Sequence, residues 1–335
     1  MNLNLTDLTT VYIACLPHNT SGGPELLHQL AWKLNRQGIR ACMFYLKRSS
    51  SPVADIYRQY VDSYVFEVED SRHNILIVPE GRTYLLPRYR NIQKVIWWLS
   101  VDNYFISRNF PENRLRRVLR LRRYFMPENP TTHDDITLHL VQSKYAADFL
   151  DSYAINNYVY LTDYLRADFF ARSRELSGTV KEDIVIYNPR KGFKFTEKLI
   201  AACPDIHFTA IEGMTPSEVV MLMAKSKVYI DFGNHPGRDR LPREAAMMLD
   251  CVITGKRGAA GNDIDTPIPP EFKFDDRDAD VPAIREALRK LLANYAAEVK
   301  KFAAYRATIQ QQEHLFDSEI NAIFTRHVKK KLFFS

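Results

Sequence analysis

The chain has 335 residues, enough for two domains of ordinary size, and its 46% apolar and 26% charged content excludes wholesale disorder. A net charge of +6 admits nucleic acid, a membrane surface or a phosphorylated small molecule as partner, and only its distribution chooses among them. No apolar run approaches the roughly 18 residues of a spanning helix. The opening MNLNLTDLTT lacks the basic flank and apolar core of a signal peptide.

In chain order, Val11 to Leu16 reads as a fully buried strand. His18-Asn19-Thr20-Ser21-Gly22-Gly23 then turns, and Pro24 suits the first position of a helix. Leu26, Leu27, Leu30, Ala31 and Leu34 form its apolar face, and Gly38 ends it before a strand from Ile39 to Leu46. This is a βαβ unit with paired glycines in its first turn. They permit close approach of a ligand or simply make a tight turn. Tyr64 to Val68 and Asn74 to Pro79 are further strands, and Val95 to Ser100 is another, followed by Asp102. Trp97 and Trp98 within it are core or domain-interface residues. Asn113 to Phe125 carries six arginines between Arg114 and Arg123, interleaved with leucines at near-helical spacing. It reads either as an anionic-membrane or anion-binding helix or as a solvated basic helix. The tail His327 to Phe334 repeats the pairing of cations with aromatics. No recognised nucleic-acid motif accompanies these patches.

Leu138 to Ser143 is a strand and Lys144 to Leu150 a helix. Tyr158 to Tyr164 follows, and the polar stretch Ser173 to Lys181 reads as a linker. A second βα series opens at Asp183 to Tyr187. Its turn, Asn188-Pro189-Arg190-Lys191-Gly192, precedes a helix from Thr196 to Ala202. Ile206 to Ile211 is a strand, and Thr215-Pro216-Ser217-Glu218 opens a helix whose Met223 belongs to the core. Then come strand Val228 to Phe232, a polar turn from Gly233 to Arg240, a helix beginning near Pro242, and strand Cys251 to Thr254. In open α/β sheets ligands bind beyond the carboxyl ends of strands. A helix N-terminus with Arg238 and Arg240 before it suits a phosphate or diphosphate, and Glu244 can accept hydrogen bonds from sugar hydroxyls. Long helices fill Val281 to Phe324. Cys15, Cys42, Cys203 and Cys251 form no CxxC pair and read as buried free thiols in a reducing cytosol.

Leu241-Pro242-Arg243-Glu244-Ala245 resembles the element that opens the donor-binding helix of GT-B glycosyltransferases, the group 1 type of bacterial polysaccharide and lipid-linked oligosaccharide synthesis. Gly22, Gly23 and Glu25 resemble the Gly-Gly-x-Glu turn of the same enzymes, and Arg190 and Lys191 their diphosphate-binding pair. In the retaining branch a second glutamate lies eight residues before Glu244; Pro236 stands there, beside His235. That departure leaves the stereochemical course and the donor sugar open.

The resemblance implies an α/β chain of two Rossmann-like domains facing a central cleft, with C-terminal helices crossing back to the first. The expected domains are an acceptor domain over 1–172, a donor domain over 182–310, and a helix and basic tail over 311–335. It implies transfer of a sugar from a nucleotide-sugar to an acceptor hydroxyl on a glycan or lipid-linked chain. Gly22, Gly23, Arg190, Lys191, Arg238, Arg240 and Glu244 would bind the donor, and Asp102 or His235 would serve near the reacting centre. Asp102 also reads as a turn or helix-capping residue. Asp263-Ile264-Asp265 has the spacing of a metal motif but the wrong place, so neither metal nor cofactor is expected. The expected location is the cytoplasm, peripheral on the membrane. The competing class is a non-catalytic scaffold of the same fold that binds a nucleotide-sugar or glycan.

Overall fold

The computed structural model describes residues 3–106 and 135–325; the Arg-rich stretch from Asn113 to Phe125 and the basic tail from His327 lie outside them. The chain divides into two compact units, Met1–Thr162 with Leu315–Ser335, and Asp163–His314.

In the first unit the strands are β1 (Val11–Cys15), β2 (Ala41–Tyr45), β3 (Tyr64–Val65), β4 (Ile75–Pro79), β5 (Gln93–Trp98), β6 (Ile136–Val141) and β7 (Tyr158–Tyr160). They form one parallel sheet in the order β3-β2-β1-β4-β5-β6-β7. All five residues of β1 are buried, as a parallel strand covered on both faces requires. The strand expected over Tyr64 to Val68 pairs only through Tyr64 and Val65. Helix α1 (Gly22–Arg36) buries Leu26, Leu27, Leu30 and Leu34. It starts at Gly22, so Pro24 is its third residue rather than its first. The missing N–H costs nothing there, because first-turn donors have no intrahelical acceptor. Gly38 adopts φ +75°, the left-handed exit expected after the helix. Trp97 and Trp98 are fully buried, and each indole N–H is satisfied: Trp97 donates to the Leu161 carbonyl and Trp98 to His139 Nδ1, both at 3.0 Å. Helices α2 (Val101–Ile106) and α3 (Lys144–Asp151) follow β5 and β6.

The second unit opens with α4 (Ala167–Glu175). The sequence puts a linker at Ser173 to Lys181, but Leu165 and Phe169 join the core of the second unit, and the division falls at Thr162/Asp163. Strands β8 (Glu182–Tyr187), β9 (His207–Ala210), β10 (Ser226–Asp231), β11 (Cys251–Gly255) and β12 (Lys273–Phe274) pair in parallel, in the order β12-β11-β10-β8-β9. The connecting helices are α5 (Phe193–Ala202), α6 (Pro216–Lys225) and α7 (Arg240–Met247). Thr215 and Glu218 form a reciprocal capping box with Pro216 at the first turn of α6, and Met223 is fully buried, both as expected. Helix α7 begins at Arg240, two residues before Pro242.

Helices α8 (Val281–Ala293), α9 (Tyr295–Glu298) and α10 (Ala303–Ile323) close the chain. Tyr305 and Ile309 of α10 belong to the second unit's core. Past His314 the helix belongs to the first unit, where Phe316 stacks near Trp97 and Asp317 pairs with Lys33 at 3.0 Å. The four cysteines are buried and unbridged.

Candidate functional site

Strand order in the second sheet reverses between β8 and β10: the chain runs outward from β8 to β9, then returns to β10 on the other side. The loops leaving such a pair diverge and open a crevice at their carboxyl ends. Here the β8 loop carries Arg190, Lys191 and Gly192, and the β10 loop runs from Phe232 to Asp239. They cross at close range. Gly192 holds φ +61°, and a Cβ on it would lie 2.4 Å from the Phe232 carbonyl oxygen; one on Gly233 would lie 2.4 Å from Lys191 Cβ. No side chain larger than hydrogen fits at either crossing.

The β10 loop folds around His235, which is almost completely buried. Its Nδ1 lies 3.1 Å from Asp239 Oδ2 and its Nε2 3.5 Å from Asp231 Oδ1. Asp231 also accepts from the Tyr229 hydroxyl (2.8 Å) and the Gly233 N–H (2.9 Å). Asp239 also receives Lys191 Nζ at 2.5 Å. The β11 loop closes over the far side, where Ala259 N–H donates to the His235 carbonyl at 2.8 Å. Burial disfavours the imidazolium, yet the neighbouring carboxylate of Asp231, with the charge of Asp239, outweighs it and raises the His235 pKa. For Asp231, burial pushes upward, but His235, the Gly233 N–H and Lys191 hold its carboxyl below the usual range.

The three ligand-type side chains Asp231, His235 and Asp239 bring donor atoms within 4.8 Å of one another. The positive charge among them is already supplied by Lys191. A divalent ion would have to compete with that ammonium for the Asp239 carboxylate.

Arg238 and Arg240, read as twin phosphate ligands, part company. Arg238 is nearly buried, its Nη1 3.9 Å from Asp163 Oδ1, whereas Arg240 is partly exposed and pairs with Glu244 at 3.0 Å. The sequence reading passed over Arg243. Its guanidinium is fully buried and forks onto both Asp163 carboxylate oxygens, with Gln312 Oε1 at 2.8 Å and the Arg238 carbonyl at 3.1 Å. Asp163 is eighty positions away, so no local spacing signals the pair. Asp231 left a fainter trace, as a carboxylate ending an apolar strand. Asp263 pairs with Lys273 and Asp265 with Asn262, so the Asp-x-Asp spacing has structural partners.

In the first unit, Gly22 and Gly23 begin α1, with a Cβ on Gly23 meeting only Leu99 Cδ1 at 3.7 Å. The turn is secured from behind. Tyr57 donates to the Ser21 carbonyl (3.1 Å), and His28 contacts the Pro24 carbonyl (2.6 Å) and the Tyr45 hydroxyl (2.8 Å). Asp102 lies in the first turn of α2, half-buried, and accepts from the Tyr145 hydroxyl at 3.3 Å. A second carboxylate, unnoticed in the sequence, follows β4 at the switch point of this sheet. Glu80 is fully buried and accepts from Leu99 N–H at 2.9 Å; burial pushes it up to about 7 against its hydrogen bonds.

No protein-family model matches the sequence, and no curated protein is detectably similar in sequence. Solved structures are. A sucrose-phosphate synthase from Thermosynechococcus elongatus superposes with a TM-score of 0.63 at 13% identity, covering 94% of this chain and 100% of its own. Anabaena HepE in complex with UDP and glucose gives 0.61 at 11% identity, over 94% and 98% of the two chains. The catalytic domain of starch synthase IV from Arabidopsis thaliana, bound to ADP and acarbose, gives 0.51 at 11% identity, over 95% and 100%. The chain therefore has the GT-B glycosyltransferase fold expected from its motifs.

Proposed function

We propose that this protein is a glycosyltransferase that moves a sugar from a nucleotide-sugar to an acceptor hydroxyl, on a bacterial surface polysaccharide or lipid-linked glycan. One observation carries the reading. At the switch point of the second sheet, Lys191 has a single partner among the described residues, Asp239, and is one-third exposed. An ammonium with unused donors at the place where α/β folds bind ligands suits a phosphate oxygen. Exposed Arg190 lies beside it in sequence, and the Arg240–Glu244 pair can open to give a cation to phosphate and a carboxylate to a sugar hydroxyl. Buried Arg238 supports the loop instead of touching the ligand.

The reaction needs charge neutralised on the departing nucleotide, and Lys191 with Arg190 and Arg240 supplies it. No metal or resident cofactor is part of this proposal. Asp102 is the proposed acceptor of the hydroxyl proton. HepE with UDP-glucose bound gives the first donor to try. Membrane docking through Arg114 to Arg123 and the basic tail would bring the enzyme to a lipid-linked acceptor.

The test is a thermal-shift panel of UDP-, GDP-, ADP-, dTDP- and CMP-sugars in EDTA. A ligand at one hundred times its dissociation constant stabilises by about 2.7 kcal/mol. One nucleotide class should raise the midpoint, and Lys191→Ala should abolish the rise. Slow release of that nucleotide, accelerated by an acceptor glycan, would establish transfer. Binding without release across acceptors would indicate the scaffold, and no shift with any nucleotide would remove the donor site.

A further inference from the structure

The imidazole of His235 has a carboxylate oxygen at each ring nitrogen, Asp239 at 3.1 Å and Asp231 at 3.5 Å. A neutral ring carries one proton and would point its remaining lone pair at an anionic oxygen. An imidazolium instead meets an anionic oxygen with an N–H on each side: Nδ1 lies at hydrogen-bond distance from Asp239, while Nε2, which has no hydrogen-bond partner among the described residues, meets Asp231 as an ion pair. Charge balance agrees: Asp231 and Asp239 contribute two negative charges, Lys191 and a protonated His235 two positive ones. With His235 and Asp231 buried and Asp239 and Lys191 partly exposed, net zero charge spares the two buried groups the penalty of an unpaired ion.

We propose that His235 is a positioning residue: clamped as an imidazolium between Asp231 and Asp239, it fixes the carboxylate that aims the Lys191 ammonium at a bound phosphate. The proposal rests on the donor-site reading above and assigns His235 a different role from acid–base catalysis, for which its burial leaves no approach. The groups facing the ring are few. Asp231, backed by Tyr229, comes from β10, Asp239 from the start of α7, and Lys191 from the β8 loop. The β11 loop offers backbone at Gly258 and Ala259. Loss of the ring proton leaves the cluster with net charge −1 and releases one carboxylate from its clamp. Both changes oppose an anionic ligand, so affinity falls as pH rises through the His235 pKa, which lies above the ordinary histidine value.

Two measurements test this. First, 15N NMR of histidine-labelled protein reads the protonation of both ring nitrogens without any ligand; His235 should be doubly protonated at pH 7. Second, UDP-glucose affinity is followed from pH 6 to 8.5, a range in which its diester phosphates keep their charges. Wild type should weaken by about tenfold across a full deprotonation. His235→Gln should bind weakly with a flat profile, Asp239→Asn should behave likewise, and Lys191→Ala should bind weakly at every pH. A neutral His235 at pH 7, or wild-type affinity and pH profile in both His235→Gln and Asp239→Asn, overturns the proposal. If His235→Gln fails to fold, Asp239→Asn and the NMR titration decide. If wild type binds neither UDP-glucose nor any other nucleotide-sugar of the panel, the donor-site reading fails, and the NMR result still determines whether the charged clamp exists.

Discussion

At the amino-terminal edge of the second unit's sheet, Lys181 gives its ammonium to three protein oxygens: the Met223 carbonyl at 2.8 Å, the Ser226 carbonyl at 2.6 Å and Asp250 Oδ1 at 2.8 Å. Asp250 is fully buried and also accepts from the Ser226 hydroxyl at 3.1 Å. At the carboxyl edge, Lys191 makes one such contact among the described residues, and its carboxylate partner is shared with His235. Both clusters pair a lysine with an aspartate on one small sheet. The first is saturated, so its charges serve only to tie β8, β10 and β11 together where they start. The second encloses His235 between two carboxylates, with Nε2 at ion-pair distance only, and leaves donors unused at Lys191. A polar cluster with spare donors at a strand's carboxyl end is a different object from one whose donors are all used, although a list of ion pairs would not separate them.

Breaking the amino-edge cluster should produce the largest effect. Lys181→Met strands Asp250 in the interior and unpairs two carbonyls, and should lower unfolding stability by about 3–5 kcal/mol in urea titration. Folded Lys181→Met should keep wild-type nucleotide affinity; a binding loss would show that the two edges are not independent.

Acid–base behaviour sharpens the contrast, because the two aspartates shift in opposite directions. Burial raises Asp250 from 3.8 to about 7, against the pull of Lys181. A raised carboxyl contributes fully below its unfolded value, near 4, and that contribution is lost as pH climbs toward 7, a change on the order of 4 kcal/mol. Asp231 is depressed, so its contribution is present above the ordinary carboxylate value and lost as pH falls through the lowered one. Urea unfolding between pH 3 and pH 8 should therefore show the wild-type advantage over Asp250→Asn shrinking with rising pH, and that over Asp231→Asn growing. Parallel trends would contradict the contrast.

The smallest stability effect and the most selective binding effect are expected at Gly192. Alanine there must leave φ +61° or push the β10 loop aside, costing about 1–3 kcal/mol. Because Lys191 is the adjacent residue, nucleotide affinity should drop by at least about tenfold, a free-energy change of roughly 1.4 kcal/mol. Calorimetry showing unchanged affinity would mean the loop crossing does not position Lys191.

Much of this protein was legible in its sequence, because the informative signals are local. Buried apolar runs such as Val11 to Cys15 announce strands covered on both faces, and Leu26, Leu30 and Leu34 announce the face of α1 by spacing alone. The Thr215–Glu218 capping box is a four-residue pattern. Gly-Gly, Arg-Lys-Gly and Leu-Pro-Arg-Glu-Ala occur in an order that suggested the GT-B fold, and the structure has it. Lys191 and the β10 loop could be picked out as a candidate site because residue type and position after a strand are both visible along the chain.

What only the tertiary structure decided is which charges are spent. Arg238, Arg240 and Arg243 are neighbours of the same type, yet one is buried beside Asp163, one pairs with Glu244, and one forks onto Asp163 from eighty positions away. His235 looked like a reacting group and is enclosed by two aspartates and the β11 loop. The unit boundary moved upstream because Leu165 and Phe169 found their core in the second unit. Periodicity and turn chemistry act over a few residues and survive in the sequence. Pairing of buried charges depends on which loops the sheet order brings together, and that is fixed only when β8 and β10 lie side by side.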